Sequence, residues 1–171
     1  MRLLGLLLLL PVLARPTPAA ATVAIAVELH PSLRLNTDRS NVWGPGGSLH
    51  VGYGLADGLV GEVIADASTW RGNADKYAAV LAGVRFTPLP GAVVQPWVAA
   101  GVGTGWSERS GGDVSEPAFG AAFRLGTGCD VVLSQSGEVS AGAHVDWTRL
   151  ASGSPDDASA LGLGVHLATR F

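Results

Sequence analysis

Three side chains near the C-terminal end of the chain are of the types that perform hydrolytic chemistry. Ser140, His144 and Asp146 stand at even spacings within a segment of alternating residue types. A serine hydrolase needs a nucleophile, a base and an acid that orients the base. Residues two and four apart on a strand, however, lie roughly 7 and 13 Å apart, so Ser140 is too far from His144 for proton transfer. We therefore predict no catalytic site here and no enzyme.

The chain has few residues of the kind that hold metal ions. It carries one cysteine, Cys129, which cannot form an internal disulfide, and four histidines without a Cys/His spacing typical of a metal site. The adjacent carboxylates Asp156 and Asp157 could touch a cation, but two carboxylates do not make a calcium site. We predict no metal ion and no cofactor.

Most charged side chains recur with a period of two. In the segment 23–35, for example, Val27 and Leu29 alternate with Glu28 and His30. This period is typical of a β-strand that has one apolar face and one polar face. The polar face carries all four histidines of the chain. We predict that its charged and imidazole side chains form one polar network: Glu28, His30, Arg34, His50, Glu62, Asp66, Arg85, Arg124, Glu138, His144, Asp146, His166 and Arg170.

Eight such segments follow one another along the chain. They are predicted at 23–35, 48–55, 59–66, 78–86, 95–106, from 118 onwards, at 138–147 and at 160–171. The sixth either ends near Gly126 or runs on towards Leu133. Short turns at 56–58, 88–91 and 134–137 alternate with longer polar connections at 36–47, 68–75, 107–116 and 151–158. We therefore predict an all-β fold, an eight-stranded antiparallel up-and-down transmembrane β-barrel.

The distribution of residue types decides which face of the barrel is outside. A soluble barrel would expose a polar face rich in bulky charged residues. Here the polar face is mainly glycine and alanine, as a narrow interior requires, and the apolar residues of eight strands would overfill such an interior. A continuous apolar exterior is unstable in water and fits lipid. Aromatic residues near the strand ends fit two belts at the membrane interfaces, namely Tyr53, Phe86, Trp106, Trp147 and Phe171.

The N-terminal segment has the composition of an export signal. Arg2 precedes an apolar run from Leu3 to Leu13, and Ala19 to Ala21 offers a cleavage site. The run is shorter than the roughly 20 apolar residues that a spanning helix needs. We predict a signal peptide at 1–21 and one barrel domain at 22–171. The net charge of −3, without a run of Lys or Arg, argues against a nucleic-acid partner.

From position 22 to position 171 the chain resembles the small eight-stranded outer-membrane barrels of the OmpA/OmpX type. The resemblance rests on Leu49-His-Val-Gly-Tyr-Gly-Leu-Ala-Asp-Gly58, Gln95-Pro-Trp-Val-Ala-Ala-Gly-Val-Gly103 and the final Phe171. It implies a protein of the outer membrane of a Gram-negative bacterium, in contact with membrane lipid and lipopolysaccharide. It also implies that the barrel-assembly machinery reads the last strand through Phe171. We expect a monomer.

The interior of such a barrel is filled by side chains, so its charges must be paired. The expected pairs are Glu138 with Arg124 and Arg170, Glu62 with Arg85, and Glu28 with His166. We therefore predict a closed barrel with a structural or surface-interaction role. Three alternatives stay open: a narrow ion-conducting pore, an enzyme that modifies lipid A in the outer leaflet, and a soluble periplasmic β-sandwich.

The predicted loops carry charges that nearly balance. We expect these charges to be solvated: Asp38, Arg39, Arg71, Asp75, Glu108, Arg109, Asp113, Glu116, Asp156 and Asp157. Trp43, in the first loop, is an aromatic residue that could anchor a partner at the surface.

Overall fold

The computed structural model describes residues 23–35, 42–70, 75–109, 117–153 and 158–171. Its strands are β1 (Val23–Leu35), β2 (Val42–Ala56), β3 (Leu59–Trp70), β4 (Asp75–Phe86), β5 (Val94–Arg109), β6 (Ala118–Val132), β7 (Val139–Ala151) and β8 (Ala158–Arg170). Within the described ranges no helix is long and apolar enough to cross a membrane. The predicted signal peptide and much of the four predicted loops lie outside the described residues.

The eight strands close into a barrel. Each strand pairs antiparallel with the next, and β1 also pairs with β8. At this closure Glu28 lies opposite His166, and the backbone N–H of Phe171 donates to the carbonyl of Val23 at 2.9 Å. The predicted eight-stranded antiparallel barrel is therefore confirmed. We call the end with the connections β2–β3, β4–β5 and β6–β7 the turn end, and the opposite end the loop end.

The strands extend further towards the loop end than predicted. β2 begins at Val42, inside the predicted loop 36–47, so Trp43 lies in a strand. β3 runs to Trp70, and β4 begins at Asp75, which is paired with Trp70. The reason is that ladder hydrogen bonds join backbone atoms, so pairing continues where the alternation of apolar side chains stops.

β6 runs without a break from Ala118 to Val132. The alternative end near Gly126 is therefore wrong. A Cβ atom on Gly128 would lie 2.6 Å from Cζ2 of Trp97, so this glycine makes room for an inward indole instead of ending the strand. Because β6 continues, Phe123 lies within the strand and not in the aromatic belt of the turn end.

Two of the predicted turns contain a glycine in the left-handed region of backbone space. Gly58 has a φ of 69° and Gly137 has a φ of 76°. Glycine reaches this region without the steric cost that a Cβ atom imposes. In the second turn the N–H of Gly137 also donates to the carbonyl of Ser134 at 3.0 Å. These turns hold β2 against β3 and β6 against β7.

Side chains alternate between the exterior and the interior of the barrel. On β1, Leu29 is 67% exposed whereas its neighbour Glu28 is 2% exposed. The outward residues of the other strands are also apolar and exposed, among them Leu49, Val63, Val80, Val102, Leu125 and Val165. An apolar cluster that includes Trp70, Tyr77 and Leu150 packs in the interior near the loop end, and polar side chains line the interior along its whole length.

Candidate functional site: the polar interior

Arg124 lies in the middle of the interior and connects three strands. Its Nη2 donates to Oε2 of Glu28 on β1 at 2.5 Å, and its Nε lies 3.1 Å from Oδ2 of Asp146 on β7. All three side chains are buried. Moving a charge out of water costs free energy unless an opposite charge lies close to it. Each of these three buried charges is therefore stabilised by its contact with the others. We call Arg124, Glu28 and Asp146 the Arg124 triad.

Ser48 and His50 connect the Arg124 triad to the wall formed by β2 and β3. The Ser48 hydroxyl donates to Oε2 of Glu28 at 2.7 Å. Nη1 of Arg124 donates to Nε2 of His50 at 2.9 Å, and Nδ1 of the same ring lies 3.3 Å from Oε2 of Glu62. A neutral imidazole that accepts at one nitrogen donates at the other, so His50 links Arg124 to Glu62.

Asp130 of β6 accepts three hydrogen bonds near the turn end. The donors are Nη2 of Arg85 at 2.6 Å, Nε1 of Trp97 at 2.7 Å and Nε2 of His166 at 2.8 Å. The guanidinium of Arg85 also lies over the Trp97 ring, 4.1 Å from its centroid, in a cation–π contact. Asp130 is absent from the network that we predicted from the sequence. Its even spacing from Arg124 is the signal that could have identified it.

The expected pair of Arg85 with Glu62 is the weaker of two contacts. The two side chains approach to 4.0 Å, whereas Arg85 and Asp130 are 2.6 Å apart. Arg85 therefore bonds mainly to Asp130. Arg85 reaches Asp130 because β6 continues past Gly128 and carries Asp130 on its inward face.

Glu138 does not belong to the network. It is exposed and precedes β7, which begins at Val139, so the expected pairs with Arg124 and Arg170 are wrong. The turn places Glu138 outside the interior of the barrel. The backbone N–H of Arg170 donates to the backbone carbonyl of Glu138 at 2.8 Å. The Arg170 guanidinium instead donates to Oε1 of Gln95 at 3.3 Å.

A second buried ion pair closes the interior near the loop end. Nη1 of Arg34 lies 3.2 Å from Oδ2 of Asp75, and both side chains are at most 1% exposed. The Trp70 indole donates to the carbonyl of Ser32 at 3.0 Å, and Arg34 lies 5.4 Å from its ring centroid. Asp75 was expected in a solvated loop, which is wrong because β4 begins at this residue and turns it inwards.

Of the thirteen side chains predicted to form the network, the structure places twelve in the interior. Arg85 and Arg170 are half-buried there. The fully buried members are Glu28, His30, Arg34, His50, Glu62, Asp66, Arg124, His144, Asp146 and His166. These side chains come from β1 to β4 and β6 to β8, so the network contacts nearly every wall of the barrel.

Three imidazole rings pack together between β1, β7 and β8. The ring centroids of His144 and His166 are 5.5 Å apart, and those of His30 and His144 are 6.2 Å apart. Nδ1 of His144 lies 3.4 Å from Nδ1 of His166. Nε2 of His30 lies 4.0 Å from Oδ1 of Asp66. This part of the interior thus brings together several nitrogen and oxygen atoms of the kinds that bind metal ions.

The residues predicted as membrane-interface aromatics lie on the outer surface. At the turn end Tyr53, Phe86 and Phe171 are exposed. Towards the loop end Trp106 and Trp147 are half-buried, and the Trp147 indole donates to Oγ of Ser159 at 2.9 Å. An amphipathic ring of this kind suits the boundary between hydrocarbon and headgroups.

The candidate catalytic residues also point into the interior. Ser140, His144 and Asp146 are all buried and lie along one strand, β7. His144 contacts Asp146 at 3.9 Å between Nε2 and Oδ1. Ser140 is four residues from His144, a separation of roughly 13 Å along a strand. The arrangement therefore lacks a nucleophile beside its base.

Side chains leave little free space in the middle of the barrel. A cavity beside Glu28, Glu62, Arg85 and Trp97 has a volume of about 10 Å³. A cavity of this size holds about one water molecule. Arg124 of the triad and its partner His50 also line this cavity.

The fold and the interior together define an eight-stranded barrel of the outer-membrane type, which is closed, apolar outside and polar inside. The fold is similar to that of Neisserial surface protein A, with a TM-score of 0.72 and 13% sequence identity over 89% of this chain and 98% of that one. It is also similar to Ail, the attachment invasion locus protein of Yersinia pestis, with a TM-score of 0.63 and 16% identity over 90% and 100% of the two chains.

The N-terminal β-barrel domain of OprF from Pseudomonas aeruginosa is a further relative in fold. The TM-score is 0.52 at 17% identity, over 85% of this chain and 96% of that chain. No protein-family model and no curated protein sequence matches the chain. The likeness confirms the predicted resemblance to small eight-stranded outer-membrane barrels.

Proposed function

We propose that this protein is an integral outer-membrane barrel of a Gram-negative bacterium, closed to ions and without catalytic activity. Its role is structural or directed at partners on the cell surface. The observation that carries this proposal is the Arg124 triad, which spans the interior and is surrounded by an apolar exterior. A buried charge cluster inside an apolar shell is stable in lipid and unfavourable in water.

The dimensions of the apolar exterior support a membrane location. On β4 the outward face runs from Lys76 at the loop end to Phe86 at the turn end. Ten residues at about 3.3 Å each and a tilt of about 45° give a height of about 23 Å, close to the apolar band of known barrels. Lys76 pairs with Glu108 at 3.5 Å, so these two outward charges lie together at one rim.

The position of the polar side chains supports a role without catalysis. A lipid-modifying enzyme must present its catalytic groups to the outer leaflet. Here His144 and Asp146 are buried inside the barrel. The outward face presents valine, leucine and small residues over most of its height, which suits contact with acyl chains.

We propose membrane lipid and lipopolysaccharide as the surroundings of a monomeric barrel. Trp43, 55% exposed near the loop end, is the residue that we assign to contact with a surface partner or with headgroups. The barrel-assembly machinery is the proposed partner of β8 and Phe171 during insertion.

Cell fractionation and lipid analysis test this proposal. The full chain, produced in a Gram-negative host, should fractionate with outer membranes and migrate differently on gels before and after heating, because a closed barrel resists detergent at room temperature. Recovery as a soluble periplasmic protein would contradict the membrane location. Mass spectrometry of lipid A from cells with and without the gene should give the same acyl pattern, and a changed pattern would favour the enzyme.

A further inference from the structure

We propose that the interior holds one transition-metal dication of the Zn²⁺ class between His30, His144 and Asp146. Each of these residues offers one ligand atom, and the three atoms lie within 4.8 Å of one another. All three side chains are buried. The site shares Asp146 with the Arg124 triad and does not depend on the proposed cellular role of the barrel.

The glycines of β8 create the space for this site. His30 lies on β1 and His144 on β7, and β8 separates the two strands. A Cβ atom on Gly164 would lie 2.7 Å from Cβ of His30 and from Nε2 of His144. A Cβ atom on Gly162 would lie 2.3 Å from Oδ1 of Asp146. Only a strand without side chains at these positions lets the three residues meet.

Each of the three ligand residues has one nitrogen or oxygen atom without a partner in the polar network. Among the described residues, Nδ1 of His30, Nε2 of His144 and Oδ1 of Asp146 have no hydrogen-bond partner, although all three are buried. The other oxygen of Asp146 is held by Arg124. Buried polar atoms without a partner are rare in native proteins and call for an explanation such as an ion.

A chain of hydrogen bonds fixes the tautomer of His144. Asp130 accepts from Nε2 of His166, so a neutral His166 has a lone pair on Nδ1. That lone pair faces Nδ1 of His144 at 3.4 Å, which therefore carries a proton. Nε2 of His144 then presents its own lone pair to Oε2 of Glu28 at 3.5 Å and to Oδ1 of Asp146 at 3.9 Å. The lone pair of this nitrogen and the two carboxylate oxygens repel one another. A cation bound between them would be attracted to all three atoms.

These hydrogen bonds resemble those that orient the histidine ligands of known metal sites. A metal-bound histidine usually donates its other N–H to a group that orients the ring, and loss of that group weakens binding about 10- to 100-fold. Here His166 takes this position, and Asp130 orients His166 in turn. His166 is thus a positioning residue and not a ligand.

The donor atoms determine the class of metal. Two imidazole nitrogens and one carboxylate oxygen suit Zn²⁺ and neighbouring transition metals, whereas Ca²⁺ and Mg²⁺ prefer oxygen alone. At bond lengths of about 2.1 Å, ligand atoms lie about 3.4 Å apart in a tetrahedral site, so the three side chains need to move together only slightly. The carboxylates of Glu28, Asp66 and Asp146 outnumber the guanidinium of Arg124, which favours a dication.

Metal binding to the refolded barrel tests the proposal. The full chain without a histidine tag is refolded into detergent micelles with a chelator, exchanged into Co²⁺ or Zn²⁺, and passed over a desalting column. We expect one metal ion per barrel and the visible absorption bands of Co²⁺ with nitrogen ligands. A barrel that retains no metal would overturn the proposal.

Variants locate the site. His30→Ala and His144→Ala should lose the bound metal, and His166→Gln should weaken binding about 10- to 100-fold. His50→Gln is the matched control, because this buried histidine bonds to Arg124 and Glu62 and offers nothing to the site. Equal loss in His50→Gln, or retention in both ligand variants, would contradict the assignment. Gel mobility before heating confirms that each variant is folded.

X-ray absorption of the unmodified barrel keeps the proposal testable if the ligand variants do not fold. The Zn²⁺ spectrum should show two imidazole ligands and oxygen at about 2.0–2.2 Å. A spectrum with oxygen ligands only would overturn the site, because it would place the ion on surface carboxylates.

Discussion

Arg124 and Glu28 are 96 residues apart in the chain and form a direct hydrogen-bonded ion pair across the barrel. Their strands, β6 and β1, are not neighbours in the sheet. The pair therefore crosses the interior instead of following the wall. A contact of this kind joins two walls of the barrel that the sheet itself does not pair.

Replacing the central cation should destabilise the barrel. Arg124→Met leaves Glu28 and Asp146 buried without their counter-charge, and we expect a loss of about 3–5 kcal/mol. Reversible unfolding by urea in lipid vesicles measures the change in the free energy of unfolding. Arg149→Met, on the exposed outer face, is the control and should change it little. Equal effects of the two substitutions would contradict a central role for the triad.

Arg85 and Asp130, which form an ion pair near the turn end, should behave as a coupled unit. Arg85→Met, Asp130→Asn and the double variant form a cycle whose coupling energy we expect at about 0.5–3 kcal/mol, because the two groups are 2.6 Å apart. The measurement is again the free energy of unfolding of each variant. Additive effects would mean that the two side chains do not interact in the folded barrel.

Two glycines of the interior should differ in their tolerance of a methyl group. Gly128→Ala would place a Cβ atom 2.5 Å from the carbonyl oxygen of Ala143 and 2.6 Å from the Trp97 ring, and we expect a loss of about 1–3 kcal/mol from overpacking. At Gly101 the nearest atom would be 3.5 Å away, an ordinary contact, so Gly101→Ala serves as the control. Tryptophan fluorescence during unfolding reports both. A tolerated Gly128→Ala would argue against the close approach of Ala143 and Trp97 to this glycine.

Arginine substitutions at two heights of the outer face test whether the middle of that face lies in hydrocarbon. Val102 lies in the middle of β5 and Val94 at its turn end, and both are exposed. Val102→Arg should cost about 2–4 kcal/mol in lipid vesicles, whereas Val94→Arg should cost about 0–1 kcal/mol. Equal costs at the two positions would show that the middle of this face does not lie in hydrocarbon.

The sequence predicts the architecture of this protein better than its internal contacts. A period of two identifies strands and faces because successive side chains of a strand point to opposite sides. Turn glycines such as Gly58 mark the short connections. The inward position of Glu28 and Arg124 follows from the same period and needs no knowledge of their partners.

The partners themselves depend on the closed barrel. Arg124 was expected to pair with Glu138 at the turn end, and in the structure it pairs with Glu28 and Asp146. Contacts across the interior depend on the stagger of eight strands, which the residue pattern does not contain. Asp75 was missed for another reason, because backbone pairing extends β4 past the last residues that alternate.

Ion conductance of the purified barrel in a planar lipid bilayer tests the closed interior most directly. Insertion is verified on the same sample by its gel mobility before and after heating. We expect the inserted barrel to produce no steady current steps, because the Arg124 triad and the Arg34–Asp75 pair occupy the interior at two heights. Steady channels of defined conductance, present with this barrel and absent from protein-free bilayers, would contradict this expectation.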